Sequence, residues 1–88
     1  MILLAEGKYI EGPVAFDLSK ALWFQVTKKA IRIIFPDSEI AHVVELGTEL
    51  SDEEKEQLAY YISILKNRDE VTELKKLLKA VKKEEGQK

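Results

Sequence analysis

The sequence predicts an α+β domain: a small antiparallel β-meander of four to six short strands, followed by two C-terminal amphipathic helices. Two observations support this prediction. Residues 21–46 are dense in β-branched and aromatic residues and contain only two turn-like interruptions, which is typical of a meander. After residue 50 the apolar period changes from that of a strand to that of a helix. We therefore expect a single domain with a β-rich part at 1–47, helices at 51–66 and 69–84, and a frayed tail at 85–88.

The first twenty residues favour short strands. Residues 2–5 form an apolar run that Glu6 and Gly7 close, and residues 8–11 follow before the turn signal at Gly12 and Pro13. The next segment alternates apolar with polar or small side chains, as a half-buried strand does, with Val14, Phe16 and Leu18 in the apolar positions.

The central hairpin follows from folding residues 22–26 back on residues 31–35. Because side chains alternate along a strand, the opposed pairs then lie on one face; they are Val26 with Ile31, Phe24 with Ile33, and Leu22 with Phe35. A slip of one residue would move this set to the other face, so the register is well specified. The tip at Lys28 and Lys29 lacks the glycine or asparagine of a tight turn, which favours a four-residue loop over 27–30. A turn at 36–38 leads to a third strand over 40–46.

The helical part begins with a capping box, because Ser51 is followed three residues later by Glu54. The first apolar stripe consists of Leu58, Tyr61, Ile62 and Leu65; the second consists of Val71, Leu74, Leu78 and Val81, with Leu77 beside it. On one straight helix these stripes would face nearly opposite directions, so we expect a break over 66–69 with Asn67 as the next N-cap. The alternative is a single long helix whose second half reaches another subunit.

Composition bounds the possible functions. A chain of 88 residues buries a small core, and with no cysteine it has no disulfide to add stability, so a partner such as a second copy is expected. The net charge of −2 disfavours a general nucleic-acid binder. Residues 1–57 hold 6 basic and 11 acidic side chains and residues 58–88 hold 8 and 5, a polarity that could favour head-to-tail association. Twelve Lys and twelve Glu beside one Asn resemble thermophile usage.

No targeting or catalytic pattern is evident. The N-terminal apolar run is too short for a signal sequence or membrane span, so we expect a cytoplasmic protein with no membrane association. His42 is the only histidine and its strand neighbours Ile40 and Val44 are apolar, which favours a packed or rim position. The carboxylate clusters at 52–54 and 84–85 lie at expected helix ends, where solvent surrounds them. We expect no catalytic residues, no metal and no cofactor.

The second face of the hairpin carries Trp23 opposite Ile34 and Gln25 opposite Arg32. Tryptophan and arginine beside apolar residues are enriched at protein interfaces, although the helices could instead cover this face and make it core. The second helical stripe has the 3-4-3 spacing of a coiled-coil seam. We therefore expect a non-enzymatic protein-interaction domain, a homodimer or other homo-oligomer, whose contact residues are Trp23, Arg32, Ile34, Leu74 and Leu78.

Other functions compete with this one. Lys28, Lys29 and Arg32 near the hairpin tip could bind the phosphates of a nucleic acid, with Trp23 as a stacking surface. Lys75, Lys79 and Lys82 could meet an anionic surface, or could simply be the solvated side of a helix. Strands before a C-terminal helix also describe a small, partly open barrel, and hence a pleckstrin-homology-like adaptor, but about 46 residues are short for seven strands and no motif carries that resemblance.

Overall fold

The computed structural model of the chain describes residues 1–6 and 13–86, and the side chains within 1–5 and 14–82. The elements are β1 (Ile2–Glu6), β2 (Pro13–Asp17), a 3-10 turn (Leu18–Lys20), β3 (Trp23–Val26), β4 (Ala30–Ile34), β5 (His42–Glu45), α1 (Asp52–Leu65), β6 (Val71–Glu73) and α2 (Leu74–Gly86). The predicted α+β class with four to six short strands and two C-terminal helices is confirmed, and the described residues form six strands. The strand considered for residues 8–11 lies outside the described residues.

Strands β3, β4 and β5 form the predicted meander. Phe24 pairs with Ile33 and Val26 with Ile31, which confirms the register derived from the alternation of apolar residues. The Thr27 N–H donates to the Ala30 carbonyl oxygen at 2.8 Å, and Ala30 already begins β4, so the loop at the tip consists of residues 27–29 and is one residue shorter than expected. Leu22 departs from the prediction. Its side chain is 65% exposed, because its position precedes β3 rather than continuing the strand on the buried side.

The third strand is shorter than residues 40–46. It runs from His42 to Glu45, and Ile40 lies outside it with 79% of its surface exposed. Ile33 pairs with His42 and Ile31 with Val44, so this pairing places His42 on the same side of the sheet as the buried isoleucines. The sequence left this choice open because the length of the second turn decides it.

A second three-stranded sheet, in the order β2-β1-β6, was not expected. The sequence placed residues 71–73 in the second helix, but they form β6, parallel to β1, and the helix begins only at Leu74. The expected N-cap at Asn67 is therefore wrong. The Ile2 N–H donates to the Glu70 carbonyl oxygen at 2.8 Å, so β1 anchors the chain between the helices and excludes a single long helix. Val71 is 62% exposed and belongs to no apolar stripe.

One core lies between the two sheets and the helices. The buried residues of α1 are Leu58 and Ile62, and those of α2 are Leu74, Leu77 and Val81. These side chains pack with Leu3, Leu18, Ile31, Ile33, Val44, Leu46 and Leu50. Both bonds of the predicted capping box are present at the start of α1. The strands form two separate three-stranded sheets, so the alternative prediction of one small barrel is wrong. Among the described helices, neither combines the length and apolar composition that crossing a bilayer requires.

Candidate interaction surface

The meander sheet has one covered face and one open face. Ile31 and Ile33 are 1% and 0% exposed, and α1 packs near β3 on this side. Because side chains alternate, their neighbours along each strand point away from the core. We call this side the outer face; its residues are Trp23, Gln25, Ala30, Arg32, Ile34, Val43 and Glu45.

The outer face presents apolar surface to solvent. Trp23 is 40% exposed and lies opposite Ile34, which is half-buried. Val43 is 61% exposed and lies beside Arg32 in the next row of the sheet. The Arg32 Nη1 donates to the Gln25 Oε1 at 3.3 Å, which holds the guanidinium along the face. Single exposed apolar residues need no explanation, but a contiguous group on one sheet face is typical of a contact surface.

A groove continues the outer face beyond β5. It has a volume of about 430 Å³, and its walls are Lys29, Ala30, Val43, Glu45, Gly47, Thr48 and Glu49. Gly47 has a φ of 74°, which turns the chain sharply after β5. The N–H groups of Leu46 and Leu50 donate to the carbonyl oxygens of Lys29 and Lys28 at 2.9 and 2.7 Å. Both ends of this loop are thus fixed to the hairpin tip. We call the groove beside this loop the loop groove.

The predicted nucleic-acid residues do not form a separate basic patch. The Lys28 Nζ lies 3.6 Å from the Asp52 Oδ1, and Lys29 shares the loop groove with Glu45 and Glu49. Arg32 is turned toward Gln25. Because carboxylates lie beside or near the lysines, a polyanion approaching this tip would meet both signs of charge.

The predicted helical contact residues fall into two groups. Leu74 is 6% exposed and packs in the core of its own chain together with Leu77 and Val81. A coiled-coil seam with another chain would have to open that core. Leu78 is only half-buried, and it lies on the open outer surface of α2 together with Lys75, Lys79, Ala80 and Lys82.

His42 contributes to packing between the two sheets. Its ring centroid lies 5.8 Å from that of Phe16 on β2 and 5.7 Å from that of Phe35, while the two phenylalanine rings stack at 6.5 Å. Within residues 1–5 and 14–82, whose side chains the structure describes, no three His, Asp or Glu side chains are grouped so as to hold a metal ion.

Sequence reasoning identified Trp23, Ile34 and Arg32, which the structure does bring together on one face. It missed Val43, Glu45 and the loop after β5. The alternation in β5 would have indicated the first two once the register with β4 was known, and Gly47 was the only local signal for the loop.

The fold and this surface define a small α+β domain with one open, partly apolar sheet face. Comparisons of the chain with protein-family models, with curated proteins and with solved structures find no match.

Proposed function

We propose that this chain is a non-enzymatic interaction domain that associates with a second copy of itself through the outer face. The observation that carries the proposal is the exposure of Trp23 and Val43 on one sheet face beside the half-buried Ile34, on the side of the meander that the helices leave open. Burial of such surface in a partner is favourable, at about 25 cal/mol per Å² of apolar area.

The residue chemistry of the outer face also supports this role. Tryptophan and arginine supply much of the binding energy at protein interfaces, and here both lie on strands: Arg32 is on the central strand β4, and Trp23 begins the neighbouring strand β3. Among the described helices, the apolar stripes of α1 and α2 are already used in the core. The outer face is therefore better suited to a partner than the helical stripe is.

The charges at the hairpin tip favour a protein partner over a nucleic acid. Lys28 lies beside Asp52, and Lys29 shares its groove with two glutamates, so neither supports a site for a polyanion.

Sedimentation equilibrium of the full chain over a wide concentration range tests the proposal. We expect a dimer, and we expect Val43→Glu to weaken it by about tenfold or more, because a buried unpaired charge opposes association. Val43 is 61% exposed in the single chain, so this substitution leaves folding intact.

Tyr60→Glu is the matched control, since Tyr60 is a large hydrophobic residue on α1 with a similar exposure of 60%. It should leave the dimer unchanged. A wild-type chain that remains a monomer at every concentration, or equal effects of the two substitutions, would overturn the proposal.

A further inference from the structure

We infer, resting on the proposed self-association, that the lysine side of α2 in one copy docks in the loop groove of the other, and that the exchange is reciprocal. The docking side of α2, which we call the α2 ridge, consists of Lys75, Leu78 and Lys79. Leu78 and Lys79 follow Lys75 by three and four residues, about one helical turn, so the three side chains lie on one side of the helix.

The outer face needs additional surface to form a stable dimer. Three strands spaced about 4.8 Å apart, with four or five residues each at about 3.3 Å, cover a projected area of roughly 200 Å². A standard interface buries about 800 Å² on each partner. Elements next to the sheet must therefore take part in the contact, and the loop groove is continuous with the outer face through Ala30, Val43 and Glu45.

The charges of the groove and the ridge are complementary. Glu45 and Glu49 line the groove around the apolar side chains of Val43 and Ala30. The ridge carries two lysines with Leu78 between them, so a charged rim would meet charges of opposite sign while apolar groups meet each other.

The charges of the ridge and the groove form no ion pair with another side chain that the structure describes. Where the structure describes side chains, the ion pairs within 4.0 Å involve Lys20, Lys28, Lys55 and Lys82, with carboxylates of Asp17, Asp52 and Glu54. The ridge lysines and the two groove glutamates are absent from those pairs.

The two surfaces are also neighbours on one copy. The Nζ of Lys82, which follows the ridge on α2, donates to the Glu49 carbonyl oxygen at 3.3 Å, so the helix that carries the ridge lies beside the wall of the groove. Two adjacent, complementary patches can be exchanged across a two-fold axis, so that each ridge enters the other groove. Such an arrangement closes after two copies, whereas a head-to-tail contact leaves a free patch at each end.

A charge-swap experiment tests this assignment. The ridge variant Lys75→Glu/Lys79→Glu and the groove variant Glu45→Lys/Glu49→Lys each place like charges together in a homodimer. We expect each variant alone to associate at least about tenfold more weakly than the wild type. An equimolar mixture should form a heterodimer, because both of its contacts pair opposite charges. Sedimentation equilibrium with native mass spectrometry at low and high salt measures these species, and the heterodimer should weaken as salt rises.

The matched control is Lys20→Glu/Arg68→Glu, which changes the net charge as the ridge variant does but lies on other exposed parts of the chain. It should associate as the wild type does. Circular dichroism confirms that every variant is folded.

Each contrary outcome has a defined meaning. If Val43→Glu abolishes the dimer but the ridge variant does not weaken it, another segment occupies the groove; the present inference then fails and the proposed function stands. A mixture that forms no heterodimer also overturns the exchange. A wild-type chain that is monomeric throughout overturns both.

Discussion

Two adjacent isoleucines on β4 provide the sharpest test of the two-faced meander. Ile33 is 0% exposed and lies between Phe24 and His42 in the sheet, whereas Ile34 lies on the outer face and is half-buried. Replacing each with alanine removes the same atoms from the same strand. The two substitutions therefore differ only in the face of the sheet from which the atoms are removed.

The expected costs differ severalfold. Truncation of a fully buried isoleucine lowers the free energy of unfolding by about 2–5 kcal/mol, and we expect about 3 kcal/mol or more for Ile33→Ala because packed side chains surround it. Ile34→Ala loses only part of that burial, and about 1 kcal/mol is expected in the single chain. A domain of this length has a total stability of roughly 4–13 kcal/mol, and 3 kcal/mol corresponds to a fall in Tm of about 12–24 °C.

Urea unfolding followed by circular dichroism measures both free energies. Because association stabilises the folded state by mass action, the measurement is made at two protein concentrations at least tenfold apart. We expect Ile33→Ala to lose the same free energy of unfolding, relative to the wild type, at both concentrations. The loss caused by Ile34→Ala should be larger at the higher concentration, because the wild type dimerises there. If Ile34→Ala costs as much as Ile33→Ala at the lower concentration, the assignment of inner and outer faces is wrong.

Three further predictions concern local features. Gly47→Ala should cost about 1–2 kcal/mol in thermal unfolding from backbone strain alone, since φ is 74° and no described atom lies within 4 Å of the added Cβ; an unchanged Tm would contradict this. Ser51→Ala removes the N-cap of α1 and should cost about 1 kcal/mol, whereas Ser63→Ala on the exposed helix surface should be nearly neutral; equal costs would refute the capping assignment. The hydrogen bond from the Ser19 hydroxyl lowers the pKa of Asp17 below its usual 3.8. This stabilisation is present above pH 3.8 and is lost as the pH falls through the lower folded-state pKa, so the stability gap between wild type and Asp17→Asn should shrink in acid. A gap that stays constant in urea titrations from pH 6 to pH 2 would argue against it.

Local patterns were enough to predict several parts of the molecule. The alternation of apolar side chains determines which residues of β3 and β4 share a face, since a slip of one residue would move the apolar set to the opposite face. The capping box at Ser51 lies within four residues of chain and needs no distant partner. The opposed directions of the two apolar stripes predicted two helices instead of one.

The candidate surface depended more on contacts between distant segments. Which face of the meander the helices cover follows from how α1 packs, and this left Trp23 and Val43 on the outside. Leu74 had a spacing equally suited to a partner helix or to the chain's own core, and packing with the core decided for the latter. The loop groove requires the loop after β5 to be fixed by hydrogen bonds to the hairpin tip.

The strand β6 shows most clearly the difference between what local sequence determines and what tertiary contacts determine. Three residues are too few for a periodic pattern, so the sequence by itself favoured extending the helix back to residue 69. Their conformation is determined instead by the free edge of β1, nearly seventy residues earlier in the chain, whose peptide groups need hydrogen-bond partners. The sequence alone therefore determined the elements stabilised by near neighbours along the chain. Tertiary structure decided those whose stability comes from segments far away, including the face left open for a partner.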